Sequence, residues 1–352
     1  MHIPDNYLSP QTCAVMGAIM IPVWTVAVKK VKEEITAKKV PLLGISAAFA
    51  FLLMMFNVPI PGGTSAHAVG ATLIAILLGP FPATIAVSIA LLIQALLFGD
   101  GGILSFGANC FNMAFVIPFA GYFIYTNLKK IWKGEKDEIV IAFIAGYIAI
   151  NLAAMFAAVE FGIQPLLFKD AAGLPLYCPY GLSVSIPAML ISHLIAGIVE
   201  GVVTSGVLLY IRRVSPEIIH ADSGKKTNFK PMYILLAAMI VLTPIGLIAS
   251  GTAWGEWAVD ELKDKVATVP ANIEKGFRLS APLQDYNLTV PSLTNVTVPS
   301  GVVKTLNMDP KTSLSDIIGY LISAVAGAAL LLIIFRILSS ILKKGKEPAR
   351  NE

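Results

Sequence analysis

Long apolar runs alternate along the chain with short polar ones. Stretches able to cross a bilayer lie at about 8–28, 41–60, 65–80, 83–98, 106–127, 138–160, 186–211, 231–250 and 314–342. Most approach the roughly 20 residues that a helical crossing requires. The pattern predicts nine spans, hence an all-α polytopic membrane protein: seven helices, then two further transmembrane helices flanking an extracytoplasmic segment. The third and fourth runs are short and share the break Gly79-Pro80-Phe81-Pro82, so they read either as two tilted helices or as a less regular hairpin.

Composition agrees with the pattern. The 352 residues are 56% hydrophobic and only 14% charged, with mean hydropathy +0.75, against about 45–50% and 25% in soluble domains. Disorder, a collagen repeat and a secreted disulfide scaffold are excluded. The three cysteines, Cys13, Cys110 and Cys178, form neither a paired framework nor a zinc spacing and read as small packing residues.

The net charge of +4 marks topology rather than a nucleic-acid partner. With the N-terminus outside, the inner segments 29–40, 128–137, 212–230 and 336–352 hold five, four, five and five Lys and Arg, nineteen of the 26. Such residues stay cytoplasmic next to spans. Six of the remaining seven sit in the long segment 251–313, and long translocated loops are largely exempt. The C-terminus is then cytoplasmic. Residues 1–7 contain no Lys or Arg and no cleavage site precedes the first span, so Met1 is expected to survive as the mature N-terminus.

A free α-amine beside an imidazole has chelating chemistry. The Met1 amine, the amide nitrogen between residues 1 and 2, and the His2 ring can wrap one cation through fused five- and six-membered rings, placing three nitrogens in a plane. A fourth planar nitrogen completes the square that marks Ni(II) or Cu(II). His67, in PIPGGTSAHAVG at residues 59–70, is the other early histidine on the outer side. Taken singly, His2 reads equally as a flexible end, and His67 as a histidine satisfied by backbone at a helix start.

The opening MHIPDNYLSP, then PVWTVAVKKV, PIPGGTSAHAVG, QALLFGDGGILSFGANCFNM at 94–113 and HLIAGIVEG at 193–201 together resemble the NikM/CbiM family. Its members are the substrate-capture (S) components of energy-coupling factor nickel and cobalt transporters. The resemblance covers most of residues 1–212 and implies a seven-helix S-component bundle with metal held by Met1, His2 and His67. It also implies a transmembrane coupling subunit and two ATP-binding cassette subunits as partners, in a prokaryotic cell membrane. Two positions depart from the family: Asn6 and Ala66 stand where Gly is usual. Asn tolerates a left-handed turn better than most residues. Pro4-Asp5 resembles the nickel-type branch, and a planar nitrogen set suits Ni(II), with Co(II) as the alternative cargo. Copper binds such nitrogens more strongly still, so availability must contribute to selectivity.

Other polar residues invite roles. Glu200 lies mid-span, where an ionised carboxylate is expensive, and His193 precedes it by two helical turns on the same face. The pair reads as a structural contact or as a gate. Asn109 and Asn112, in a Gly-rich stretch expected to form a tight outer loop, are expected to bond loop backbone or groups around the metal; Asp100 reads as solvated. Ala14 and Ala18 form a small-residue pair in the first span. In related capture components such a face docks on the coupling subunit.

The chain divides by sequence into a capture domain at 1–212, a cytoplasmic linker at 213–230 and a two-span region at 231–352. TPIGLIASGTAWGEWA and APLQDY make the last resemble the small NikN/CbiN-type accessory subunit, here fused. The Asn287 and Asn295 sequons read as chance. No Walker motif, hence no ATP site, and no nucleophile–base set is present, so the chain reads as a transporter subunit and not an enzyme. The alternative is a secondary metal transporter working without an ATPase.

Overall fold

The computed structural model describes residues 1–35, 39–134, 136–218, 228–249, 251–288 and 312–344, with positions 292, 294, 296 and 298. The middle of the expected linker, most of segment 289–311, the Asn295 sequon and the chain end beyond Lys344 lie outside the described residues.

Helix α1, Pro10–Glu34, starts where the sequence provides a cap: the Ser9 hydroxyl accepts from Thr12 N at 3.1 Å and Pro10 fills the first turn. Helix α2, Val40–Met54, is buried almost all round. A hairpin follows, β1 Val58–Ile60 against β2 Thr64–Ala66, with Val58 opposite Ala66 and Ile60 opposite Thr64. Its turn is made by Gly62 and Gly63, both at positive φ. Helix α3, Ala71–Leu78, is only eight residues long. Helix α4, Pro80–Ile93, runs on through a wider π-type turn, Gln94–Phe98.

A short helix α5, Phe106–Asn109, leads through a second π-type stretch, Cys110–Val116, into α6, Ile117–Ile131. Then come α7, Asp137–Gly162, the short α8, Gln164–Leu167, and α9, Leu182–Val214. Alanine and glycine let α7 and α9 approach closely: seven alanines of α7 are fully buried, and a Cβ at Gly201 would lie 2.7 Å from the Phe143 ring. The C-terminal part contributes α10, Lys230–Leu242, the short α11, Val259–Lys263, and α12, Ala271–Lys275, and the long α13, Leu314–Lys344.

Among the described residues, seven helices are long and apolar enough to cross a membrane, as an all-α polytopic architecture requires. The two exceptions correct the sequence reading. The expected spans at 41–60 and 65–80 shrink to α2 and α3, because Pro59, Pro61 and the glycine pair cannot continue a helix. Hydropathy carries both apolar runs into a hairpin whose turn, Pro61 to Gly63, is exposed. The expected outer loop at 98–112 likewise narrows to Gly99–Ser105, with Asn109 and Asn112 already helical.

The C-terminal helices complete the bundle. Helix α13 lies along α2, with Phe335 over Gly44, and any Cβ at Gly327 would overlap the Phe51 ring. Tyr320 Oη donates to Met55 O at 2.6 Å. Gly327→Leu should therefore push α13 off α2 and destabilise the chain by about 1–3 kcal/mol, the usual penalty of overpacking. A lowered thermal midpoint in detergent is expected; an unchanged one contradicts this packing.

Candidate metal-binding centre

The chain end is threaded into the bundle. Met1, His2, Ile3 and Tyr7 are all buried, Ile3 completely. A buried segment must satisfy its backbone, and partners reach it from several elements. Ile3 N donates to Asn109 Oδ1 at 2.7 Å and Ile3 O accepts from Asn109 Nδ2 at 3.1 Å and Gly102 N at 2.8 Å. Asp5 Oδ1 accepts from Leu104 N. Tyr7 O accepts from Cys178 N and Ser9 N donates to Gln164 Oε1. Asn6 turns the segment with φ of 70° and donates to Phe277 O at 2.7 Å.

This threading brings the two early histidines together. His2 Nδ1 lies 3.1 Å from His67 Nε2, with the ring centroids 4.9 Å apart. His67 directly follows β2, so the hairpin aims it, and its Nδ1 lies 3.1 Å from Ala68 O. The Met1 ammonium donates to Glu256 Oε1 at 2.8 Å. Asp100 Oδ1 lies 3.2 Å from His2 Nδ1. Single ligand atoms of His2, Asp100 and Glu256 lie within 4.8 Å of one another. Burial holds the imidazoles neutral: His2 is pushed down to about 4, and His67 is held well below its ordinary value, helped by the nearby ammonium.

The remaining candidates separate. Glu200 takes the loop after His67: its carboxylate accepts from Val69 N at 2.7 Å and from Gly70 N at 2.9 Å, at the start of α3 where the helix dipole favours an anion. Gly70 sits at φ 74° with the Phe49 ring in the way of any Cβ. His193 bonds its own helix through Met189 O and Ser192 Oγ, so it does not pair with Glu200. Asn109 serves the N-terminal segment, but Asn112 does not: it lies inside the bundle and donates to Glu160 Oε2 at 2.8 Å. Its side chain faces inward because it stands on a helix and not on a loop.

Sequence reasoning missed Gln94, Glu256 and Tyr286, and it took Asp100 as solvated. The Asp100 carboxylate accepts from Gln94 Nε2 and from Tyr286 Oη. Glu256 and Tyr286 come from the C-terminal region, and nothing in the local sequence of either shows that it folds over residues 1–2. Together they border a cavity of about 640 Å³ whose lining includes His2, His67, Asp100, Trp257 and Arg278.

Glu200→Gln leaves one acceptor where the carboxylate meets two amides. It should cost about 1.5–3 kcal/mol, the worth of hydrogen bonds to a charged group. Faster hydrogen exchange at the amides of Val69 and Gly70 is the expected outcome; unchanged exchange contradicts the anchor.

Residues 2–218 match the family described as the cobalt uptake substrate-specific transmembrane region, CbiM, and residues 230–344 match the PDGLE domain. The "Probable fused nickel transport protein LarMN" of Lactiplantibacillus plantarum is 50% identical over 295 residues, covering 81% of this chain and 88% of that one. The "Fused nickel transport protein NikMN" of Rhodobacter capsulatus is 46% identical over 307 residues, with the same coverage. A crystal structure described as that of a transition metal transporter superposes with TM-score 0.59 at 58% identity, over 64% of this chain and 98% of that chain. The family match over residues 2–218 and the similarity to both fused relatives place the chain in the CbiM family, joined here to a PDGLE domain.

Proposed function

We propose that the chain is the metal-capture subunit of an ATP-driven energy-coupling factor importer, with Ni(II) as its cargo. The Met1 amine, the His2 amide nitrogen, His2 Nδ1 and His67 Nε2 would form a planar square around the ion. The observation that carries this reading is the 3.1 Å approach of the two ring nitrogens. Adjacent donors in a square stand about 2.8–3.0 Å apart at metal–nitrogen distances of about 2.0–2.1 Å, so little movement is needed. His2 Nδ1, the ring nitrogen that faces His67, is also the one that closes a six-membered ring with its own amide. The nickel names of both fused relatives support the choice of metal, as does the planar preference of the d8 ion.

Loading proceeds by exchange of partners. An ammonium has no lone pair, so the Met1 amine must leave Glu256 as a neutral group before it ligates. The amide must also lose its hydrogen. The buried imidazoles are already neutral.

In the assembly that this reading implies, the N-terminus faces outward and the C-terminus the cytoplasm. A coupling subunit meets α1, whose Ala14, Val15, Ala18 and Ile19 stand exposed, and two ATP-binding cassette subunits supply hydrolysis. Capture belongs to residues 1–212, and the region 231–352 contributes Glu256, Trp257 and Tyr286 to the cavity beside the site. A second reading draws on the nearness of Asp100 and Glu256 to His2: a mixed nitrogen–oxygen site with no imposed plane, open to Co(II).

Two measurements test the proposal. A formyl group left on the Met1 amine takes its lone pair out of the donor set and opens the five-membered ring, and should abolish tight nickel binding by the purified chain, whereas His67→Ala should weaken it less, since water can take one corner. Equal binding by the formylated chain contradicts the square. Ligation by amine and amide releases two protons, because burial keeps His2 uncharged down to about pH 4. Affinity should therefore fall about 100-fold per pH unit as pH drops from about 7 to 5. A tenfold slope would mean that the amide stays protonated and would favour the mixed site.

A further inference from the structure

Two buried polar atoms beside the chain end have no hydrogen-bond partner: His2 Nε2 and Gln94 Oε1. They belong to side chains that lie against each other. No hydrogen bond joins the two atoms, and the partners around them say which hydrogens each side chain carries.

His67 fixes the hydrogens. Its Nδ1 faces Ala68 O, which can only accept, so Nδ1 carries the hydrogen and Nε2 the lone pair. The bond between His67 Nε2 and His2 Nδ1 then needs its hydrogen from His2 Nδ1. Asp100 Oδ1, on the same nitrogen at 3.2 Å, makes the same demand. A neutral His2 with hydrogen on Nδ1 carries a lone pair on Nε2. Both atoms are then acceptors, and both go unsatisfied.

Gln94 cannot relieve this by turning over. Its Nε2 donates to Tyr286 Oη at 2.8 Å and to Asp100 Oδ2 at 3.2 Å, while Tyr286 Oη also donates to Asp100 Oδ2. A flipped amide would set its oxygen against the carboxylate and forfeit both bonds. The Gln94 amide is thus held in one orientation by Asp100 and by a tyrosine from the C-terminal region.

We infer that Gln94 Oε1 is a preformed acceptor for the other tautomer of His2, so that metal loading is coupled to a tautomer exchange steered by Asp100 and Tyr286. The inference rests on the ligand set proposed above for the loaded state. In that state Nδ1 must surrender its hydrogen to expose the lone pair that binds metal. The neutral ring then carries hydrogen on Nε2, which donates to Gln94 Oε1. Nδ1 loses one proton and Nε2 gains one, so the ring's charge and the two-proton count of ligation are unchanged. Gln94, Asp100 and Tyr286 are positioning residues: a hydrogen-bonded ring holds its ligand nitrogen in register. The C-terminal region reaches the centre through Tyr286 without touching the metal.

Nitrogen-15 spectra of histidine-labelled full-length chain, without metal and with one equivalent of nickel, test the exchange without any substitution. His2 is expected as the Nδ1–H tautomer in the metal-free chain and as the Nε2–H form with Nδ1 ligated once loaded. An Nε2–H form in the metal-free chain overturns the inference, whatever nickel does. Failure to bind nickel at all overturns the proposed function instead, and leaves the metal-free tautomer readable. Gln94→Leu and Tyr286→Phe should each lower nickel affinity about 10–100-fold. In the loaded Gln94→Leu chain the Nε2–H resonance should lose its hydrogen-bonded shift, which a purely structural role would not alter. Wild-type affinity in both variants contradicts the coupling.

Discussion

A charged chain end is costly to bury in an apolar bundle unless its polar groups are met, and this constraint organises the end of the molecule that holds residues 1–9. The Met1 ammonium is met by Glu256, the Ile3 peptide by Asn109 and Gly102, and the Asp5 carboxylate by Leu104 N. Those partners come from two parts of the chain far apart in sequence, residues 102–109 and Glu256. Once they are in place the first two residues can lie only beside His67, because Asn109 fixes the Ile3 peptide and the hairpin with Glu200 fixes the loop that carries the ring.

The same constraint ties the C-terminal region to capture. Glu256 and Tyr286 lie on a segment between two helices, α10 and α13, that also cover α2. Tyr286 stacks on Phe98 and meets Phe51 edge-on, so the packing that seats the segment on the bundle also aims its hydroxyl at Asp100. Core packing and the polar network around His2 share one element. Loosening α13 should be felt at the site.

Much of this was legible in the chain. The breaks at Gly79 and Pro80 and the apolar runs mark elements by local chemistry, and MHIP together with the histidine of PIPGGTSAHAVG marks the candidate centre because a terminal amine–imidazole pair is unusual. What stayed hidden depends on distance along the chain. Glu256 and Tyr286 act some 250 and 190 residues away from their partners, and no periodicity encodes such a pairing. The expected spans at 41–60 and 65–80 overrun into the two strands of the hairpin at 58–66 because hydropathy averages over a window, whereas Pro59, Pro61 and the Gly62-Gly63 turn act at single positions. Asn112 looked like a loop residue beside glycines, yet Gly107 serves there to let α5 press against the backbone of α1 at Gly17.

The account stands on four nitrogens in one plane around the ion. X-ray absorption at the nickel edge, on the full chain loaded with one equivalent, reads both the geometry and the donor atoms. The account predicts the pre-edge signature of a square-planar low-spin ion with nitrogen scatterers alone, imidazole among them. A six-coordinate spectrum with oxygen neighbours would contradict it and hand the metal to Asp100 and Glu256.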